Sequence, residues 1–227
     1  MSNNYLYIVV LQVLCFIPAI VFHEVAHGFA AYKLGDPTAK TAGRLSLNPA
    51  KHVDPFGTII MPLMLMAIGG PVFGYAKPVP YNPRYFKDIR KGDMLVGMAG
   101  PAANLCMALV SALLLFIVAQ FAPLGIPTGF SVISVLIDFF YLSIMLNLYL
   151  MFFNLIPLPP LDGSSLLLFF LPRKYLPQYY KVQQYAMPIF LVVVILVPYV
   201  FHVNPIGIYL DWTAGTLGSL LSGLAFL

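Results

Sequence analysis

His23-Glu24-Val25-Ala26-His27 places two imidazoles at i and i+4, on one face of a helix, with a carboxylate beside the first. Histidines spaced in this way can bind one zinc ion from neighbouring turns, and the adjoining glutamate can act as general base toward water at the metal. Glu24 is the only glutamate in the chain and lies in an apolar stretch, where an ionisable group costs on the order of 2.5–3.5 kcal/mol. A histidine pair serving only helix packing would not call for a buried carboxylate between its members.

A catalytic zinc keeps three protein ligands and one open position, so a third donor must come from elsewhere. Asp54, His52, Asp138, Asp162 and His202 are the options. Asp162 stands out for its setting, Asn154-Leu155-Ile156-Pro157-Leu158-Pro159-Pro160-Leu161-Asp162-Gly163, where three prolines and a glycine break a helix. A helix that ends at membrane depth makes room for a carboxylate and an extended peptide beside a metal. His52 and Asp54 sit among turn residues and read as capping or interface groups, while Asp138 reads as a partner for another helix. Asn147 and Asn154 are seven apart and share a helix face, with Asn147 read as interhelical glue.

The surrounding elements must belong to a membrane. The 227 residues are 60% hydrophobic and only 9% charged, well below the roughly 25% of a soluble domain. Mean hydropathy is +0.88. This excludes a soluble globular protein, and no basic stretch interleaved with aromatics offers a nucleic-acid groove. The fold class expected is an all-α polytopic membrane protein. Stretches 5–32, 94–120, 131–157 and 182–200 are long enough to span, and 206–227 makes about five transmembrane helices. Cys15 and Cys106 fall inside apolar runs and read as small hydrophobes. The N-terminal residues lack a positive n-region and a cleavage site, so the first apolar segment is expected to be retained.

Residues 56–68 form a shorter apolar run between Gly/Pro-rich flanks and read as a re-entrant element. If that run dips in and returns, all twelve lysines and arginines lie on one side, as the positive-inside rule requires. The N-terminus is then outside, 33–93 and 158–181 are cytoplasmic, and the metal site lies toward the cytoplasmic face. One domain is expected over 1–227, with a catalytic core of about 5–171 and additional C-terminal helices over about 182–227.

These residues resemble the site-2 family of intramembrane zinc metalloproteases, in a small form without PDZ or CBS domains. Its signature is H-E-x-x-H in one transmembrane helix and N-x-x-P…D-G in a later one. The resemblance extends to Gly43-Arg44-Leu45-Ser46-Leu47-Asn48-Pro49, to Gly74-Tyr75-Ala76-Lys77-Pro78-Val79-Pro80-Tyr81-Asn82-Pro83, and to Ala99-Gly100-Pro101-Ala102-Ala103-Asn104. It departs from the family at Gly163-Ser164-Ser165, where a second glycine is usual. It implies one zinc per chain on His23, His27 and Asp162, with Glu24 as base and later acid. Asn154 would position substrate or steady the oxyanion. Residues 43–83 would form a membrane-associated strand and loop presenting an edge to an unwound substrate. The expected activity is zinc-dependent cleavage of membrane-protein or signal-peptide-remnant substrates within or beside the lipid bilayer, in a prokaryotic plasma membrane. The alternatives are a divalent-metal transporter, which would need ligands spread across the bilayer, and an inactive pseudo-protease that holds membrane clients.

Overall fold

The computed structural model describes residues 2–61, 64, 76–122 and 131–226. It is mostly helical, and three helices are long and apolar enough to cross a membrane: α1 (Ser2–Lys33), α3 (Ile89–Ala119) and α4 (Val132–Asn154). A short α2 (Thr38–Thr41) follows α1. Side chains define the ends of the long helices. Asp88 caps α3 by accepting the Lys91 N–H at 3.1 Å, and Ser131 and Ser134 form a reciprocal capping box at the start of α4. α4 stops at Asn154 because the prolines that follow have no N–H to continue the ladder.

Cross-helix contacts fix the directions of travel. The Tyr7 hydroxyl donates to Asp138 at 2.8 Å, and Cys15 Sγ lies 3.4 Å from the Phe139 carbonyl. Farther along α1, His23 meets Asn104, which also reaches Asn147, and His27 meets Val96. α1 and α4 therefore run parallel, with α3 antiparallel to both. α1 ends and α3 begins at the same end of the bundle, where Ala31, Phe86 and Val96 form a buried cluster. Residues 34 and 88 thus lie at the same end of the bundle. At the start of the run 56–68, Pro55–Ile60 is a π-type turn whose N–H groups at Phe56 and Gly57 are capped by Asp54. Residues 62–63 and 65–68 lie outside the described residues, as do Gly74 and Tyr75.

No strand is assigned among the described residues, so the strand expected within 43–83 is not seen there. Residues 76–82 have no regular secondary structure, and Pro78 and Pro80 have no N–H to donate to a ladder. Individual partners hold the segment instead. The Lys77 N–H donates to the His52 carbonyl at 2.9 Å, and buried Arg44 donates to the Lys77 carbonyl at 2.6 Å. Asp36, fully buried, accepts the Asn82 N–H at 2.6 Å while also binding Thr38. Burial opposes ionisation of Asp36, yet the hydrogen bonds from Thr38 and Asn82 hold its carboxyl below the ordinary range.

After α4 come α5 (Gly163–Phe170), α6 (Leu176–Gln184) and α7 (Ala186–Phe201). The span expected over 182–200 is interrupted at Tyr185, where the α6 and α7 segments meet at 67°. The C-terminal stretch comprises α8 (Pro205–Leu210), a π-type turn over Asp211–Gly215 and α9 (Thr216–Gly223). It packs on α3 and α4, bringing Ala214 and Ala225 against Ala108, Leu115, Ile144, Leu148 and Met151. Small residues and paired hydroxyls make that approach possible, with Ser111 and Ser143 hydrogen-bonded at 2.8 Å. The larger apolar side chains of α3, among them Leu113 and Phe116, point outward, as lipid permits.

The common end shared by Lys33 and Ile89 generates a labelling test. With Cys15 and Cys106 removed, single cysteines at Ser46 and Tyr85 should react with an impermeant thiol reagent from the same side, and one at Gln120 from the other. Opposite-side reaction of the first two would refute this topology.

Candidate metal centre

The i, i+4 spacing on α1 brings His23 and His27 together, with their Nε2 atoms 3.0 Å apart. Asp162, at the residue before α5, points its Oδ2 between them, 3.0 Å from His23 Nε2 and 3.3 Å from His27 Nε2. The far side of each imidazole faces an oxygen. His23 Nδ1 is 2.6 Å from Asn104 Oδ1, and His27 Nδ1 is 2.7 Å from the Val96 carbonyl. Oxygen acceptors at Nδ1 favour a proton there and leave Nε2 with a bare lone pair. Two lone pairs and a carboxylate oxygen then face one another in a buried space, and Asp162 Oδ2 makes no hydrogen bond. Such a set repels itself unless a cation sits among its members, and all three donor atoms lie within 4.8 Å of each other. Two imidazoles and one carboxylate form a catalytic zinc donor set, so the residues present fit that metal.

Glu24 lies on the adjoining turn face of α1. Its Oε2 accepts the Val79 N–H at 2.9 Å, which ties Glu24 to the segment 76–82. Gly28, one turn on, leaves the space that Val79 and Leu45 fill, since a Cβ there would come within 2.7 Å and 2.8 Å of them. A cavity of about 480 Å³ opens beside His23, Glu24 and Asp162. Asn154 also lines it, with its amide donating to the Leu150 carbonyl at 3.0 Å. The remaining wall is apolar, with Phe16, Ile20, Phe153 and Phe190 among its residues.

Two features of α3 hold Asp162 at this depth. Gly97 and Gly100 leave no side chain on the face turned toward the site, and a Cβ at Gly97 would collide with Ser165. At Gly100 a Cβ would strike His27 Nε2 and come within 2.6 Å of His23 Nε2. Arg90, at the start of α3, gathers the carbonyls at the end of α5. It donates to Leu168 and Phe169 at 2.6 Å and also to Leu171, satisfying oxygens that the helix leaves without partners.

Residues 11–197 match the sequence pattern of Peptidase family M50. The chain belongs to that family. Among its relatives, the Bacillus subtilis protein named "Putative zinc metalloprotease YwhC" is 40% identical over 200 residues, covering 88% of this chain and 83% of the relative. The Mycolicibacterium smegmatis protein named "Putative zinc metalloprotease Rip2" is 30% identical over 164 residues, or 72% of this chain and 58% of the relative. "Zinc metalloprotease MJ0392" of Methanocaldococcus jannaschii is 28% identical over 173 residues, and the match covers 38% of that protein. No solved structure matches the chain. With three membrane-length apolar helices, this M50 peptidase is an integral-membrane, zinc-dependent protease.

The M50 chain brings together His23, His27 and Asp162, with Glu24 and Asn154 on the same cavity. The other candidates for third ligand fall elsewhere. His52 is buried with Nε2 2.8 Å from the Ser46 carbonyl, Asp54 caps a turn, Asp138 accepts from Tyr7, and His202 ends α7. Sequence reasoning missed Arg90, Arg44 and Asp36 as structural clamps, counting the arginines only for topology. Arg90 and Arg44 bind main-chain carbonyls, and Asp36 reaches the main chain of Asn82, contacts that leave no mark in side-chain spacing. The paired glycines Gly97 and Gly100 were the available signal for a close approach to α3.

The position of Gly100 yields a direct test. Gly100→Ala gains about 0.8–1 kcal/mol of helix propensity, yet it places a methyl group against imidazoles pinned from behind by Asn104 and Val96. Purified Gly100→Ala protein should contain much less zinc than wild type while its helical circular dichroism is retained. Full zinc content in this variant would refute the packing argument.

Proposed function

We propose that His23, His27 and Asp162 hold one zinc per chain, with Glu24 acting as general base and then general acid in peptide hydrolysis. The observation carrying this reading is the convergence of three buried donor atoms beside a cavity that also exposes Glu24 and Asn154. When bound, zinc supplies Lewis acidity to the scissile carbonyl and makes the attacking water easier to deprotonate. Glu24 takes a proton from that water and later delivers it to the leaving nitrogen. Its hydrogen bond from the Val79 N–H holds the carboxylate near the cavity floor. The Asn154 amide positions the substrate or donates to the developing oxyanion. The segment 76–82, of which Ala76 and Pro78 line the cavity, offers its remaining main-chain groups to a substrate whose helix has been unwound, because a helical peptide keeps its carbonyls in i to i−4 bonds.

One domain over 1–227 carries this activity, with a core of about 5–171 and C-terminal helices over about 182–227. About five helices span the membrane, counting α7 and the run from α8 to α9 beside α1, α3 and α4. The lysines and arginines cluster at the end of the bundle that holds the site, which supports a cytoplasmic-side active site in a prokaryotic plasma membrane. Substrates are membrane proteins or signal-peptide remnants, cut toward their cytoplasmic ends. A metal transporter is not favoured, because Asp138 and Asp211 are each occupied by a tyrosine, Tyr7 and Tyr149.

Metal analysis and peptide hydrolysis should separate the roles. His23→Ala, His27→Ala and Asp162→Ala should lose zinc from a starting value of about one per chain, whereas Glu24→Gln should keep zinc and lose cleavage. Full zinc in Asp162→Ala would sink the ligand assignment. Asn154→Ala should keep zinc and slow cleavage by about 10²–10³-fold.

The need for unwinding generates a second expectation. In one client, glycine or proline near the cut should speed cleavage and leucine should slow it, since glycine costs a helix about 0.8–1 kcal/mol and proline about 3 relative to alanine. Cleavage rates indifferent to this series, with the cut site verified by mass spectrometry, would exclude unwinding as the limiting step.

A further inference from the structure

Behind the site, Asn104 on α3 and Asn147 on α4 are completely enclosed, each 0% exposed. An amide in such a place is costly unless all its groups find partners, and these amides do so in a fixed order. Asn104 Nδ2 donates to the Ala19 carbonyl at 3.2 Å and to Asn147 Oδ1 at 2.9 Å. Asn147 Nδ2 donates in turn to the Ser143 carbonyl at 2.9 Å. A carbonyl only accepts, so Ser143 sets the nitrogen end of Asn147, and Ala19 together with Asn147 Oδ1 sets the nitrogen end of Asn104. Asn104 Oδ1 is thereby left facing His23 Nδ1, 2.6 Å away.

An oxygen at that position accepts a proton from Nδ1, which leaves Nε2 free to ligate. A reversed Asn104 amide would present a donor to Nδ1 and drive the proton to Nε2, where it would block the metal. His27 needs no such device, because its Nδ1 faces the main-chain carbonyl of Val96, which cannot reverse. We propose that Asn147 and Asn104 act as a positioning relay that fixes the orientation and Nδ1-protonated form of His23 for zinc binding. This rests on the reading of His23 as a ligand.

The relay and a purely structural role predict opposite rankings of substitutions. If the asparagines only fill space, leucine of similar volume should be tolerated and a buried aspartate should be harmful. If they set His23, aspartate should serve at position 104 because one oxygen accepts from Nδ1 and, in the neutral acid, the other carries a proton for the Ala19 carbonyl, with only the bond to Asn147 Oδ1 lost. At position 147 its oxygen accepts from Asn104 Nδ2, and in the neutral acid it still has a proton for the Ser143 carbonyl. Leucine should fail at both places. The experiment measures zinc affinity by chelator competition in the full chain in detergent, with Glu24→Gln as the parent to silence hydrolysis. Asn104→Asp and Asn147→Asp should bind zinc within a few-fold of the parent. Asn104→Leu should bind about 10–100-fold more weakly, with Asn147→Leu weakened in the same direction.

Thermal unfolding of the zinc-free proteins reports whether each variant folds. Should Asn104→Leu not fold, Asn147→Leu, which does not touch the imidazole, carries the comparison against its aspartate counterpart. Parent-like affinity in a folded leucine variant, or aspartate binding more weakly than leucine at the same position, would overturn the relay. His23→Ala distinguishes the two levels of the argument. If it retains zinc, the ligand assignment itself falls, whereas loss in His23→Ala with full binding in both leucine variants removes only the relay.

Discussion

Two imidazole nitrogens and a carboxylate oxygen that meet at 3.0 to 3.3 Å inside an apolar bundle repel one another unless a cation joins them. Much of the surrounding architecture resists that repulsion. α1 supplies two donors on one face, and α5 carries the third in from a break in the chain. α3 lies against both because Gly97 and Gly100 remove the side chains that would keep them apart. Arg90 then ties the far end of α5 to α3 through three carbonyls, so the element presenting Asp162 is clamped at both ends. The meeting of these three donor atoms is therefore coupled to the packing of three separate elements.

The same constraint organises the polar groups that do not touch the metal. In an apolar bundle each buried amide or carboxylate needs a partner, and here the partners are arranged in layers. Nearest the site, Asn104 and the Val96 carbonyl face the imidazoles. Behind them, Asn147 and the Ser111–Ser143 pair hold α3 against α4. On the basic side, Asp36 and Arg44 hold the main chain of 76–82, and Tyr81 donates to Asp93 at 2.7 Å, its hydroxyl pushed above its ordinary range by burial and by that carboxylate. Glu24 is joined to this outer layer through Val79. Glu24 and the segment 76–82 are consequently joined by a hydrogen bond, and the cavity beside them has a polar floor and an apolar wall.

Much of this could be read from residue order. The hydropathy profile identified a helical membrane protein because spanning segments must be apolar over about 20 residues and must satisfy their own backbone. His23, Glu24 and His27 were legible because helical periodicity is local, so spacing alone places i and i+4 on one face. Asp162 was singled out by the prolines that end α4, although from the residues alone it stood beside four other candidates. The one-sided distribution of lysines and arginines anticipated that 34–88 returns to the end it left, as the Ala31, Phe86 and Val96 cluster requires.

The rest depended on distances across the fold. Spacing could not choose among Asp54, His52, Asp138, Asp162 and His202, because Asp162, 135 positions beyond His27, is brought beside the histidines by helix packing and not by periodicity. Nor could it show that the strand expected within 43–83 would be absent from its described residues, with 76–82 held by single bonds, or that the span expected over 182–200 would break at Tyr185. The functions of Arg90, Arg44 and Asp36 were hidden because each of them holds main-chain groups of distant residues. Residue order determined which chemistry was possible and on which helix it would begin, since those depend on local geometry and burial. Only the tertiary structure decided which distant side chains complete it, because three helices must first pack before Asp162, Asn104 and Val96 come within reach of the same two imidazoles.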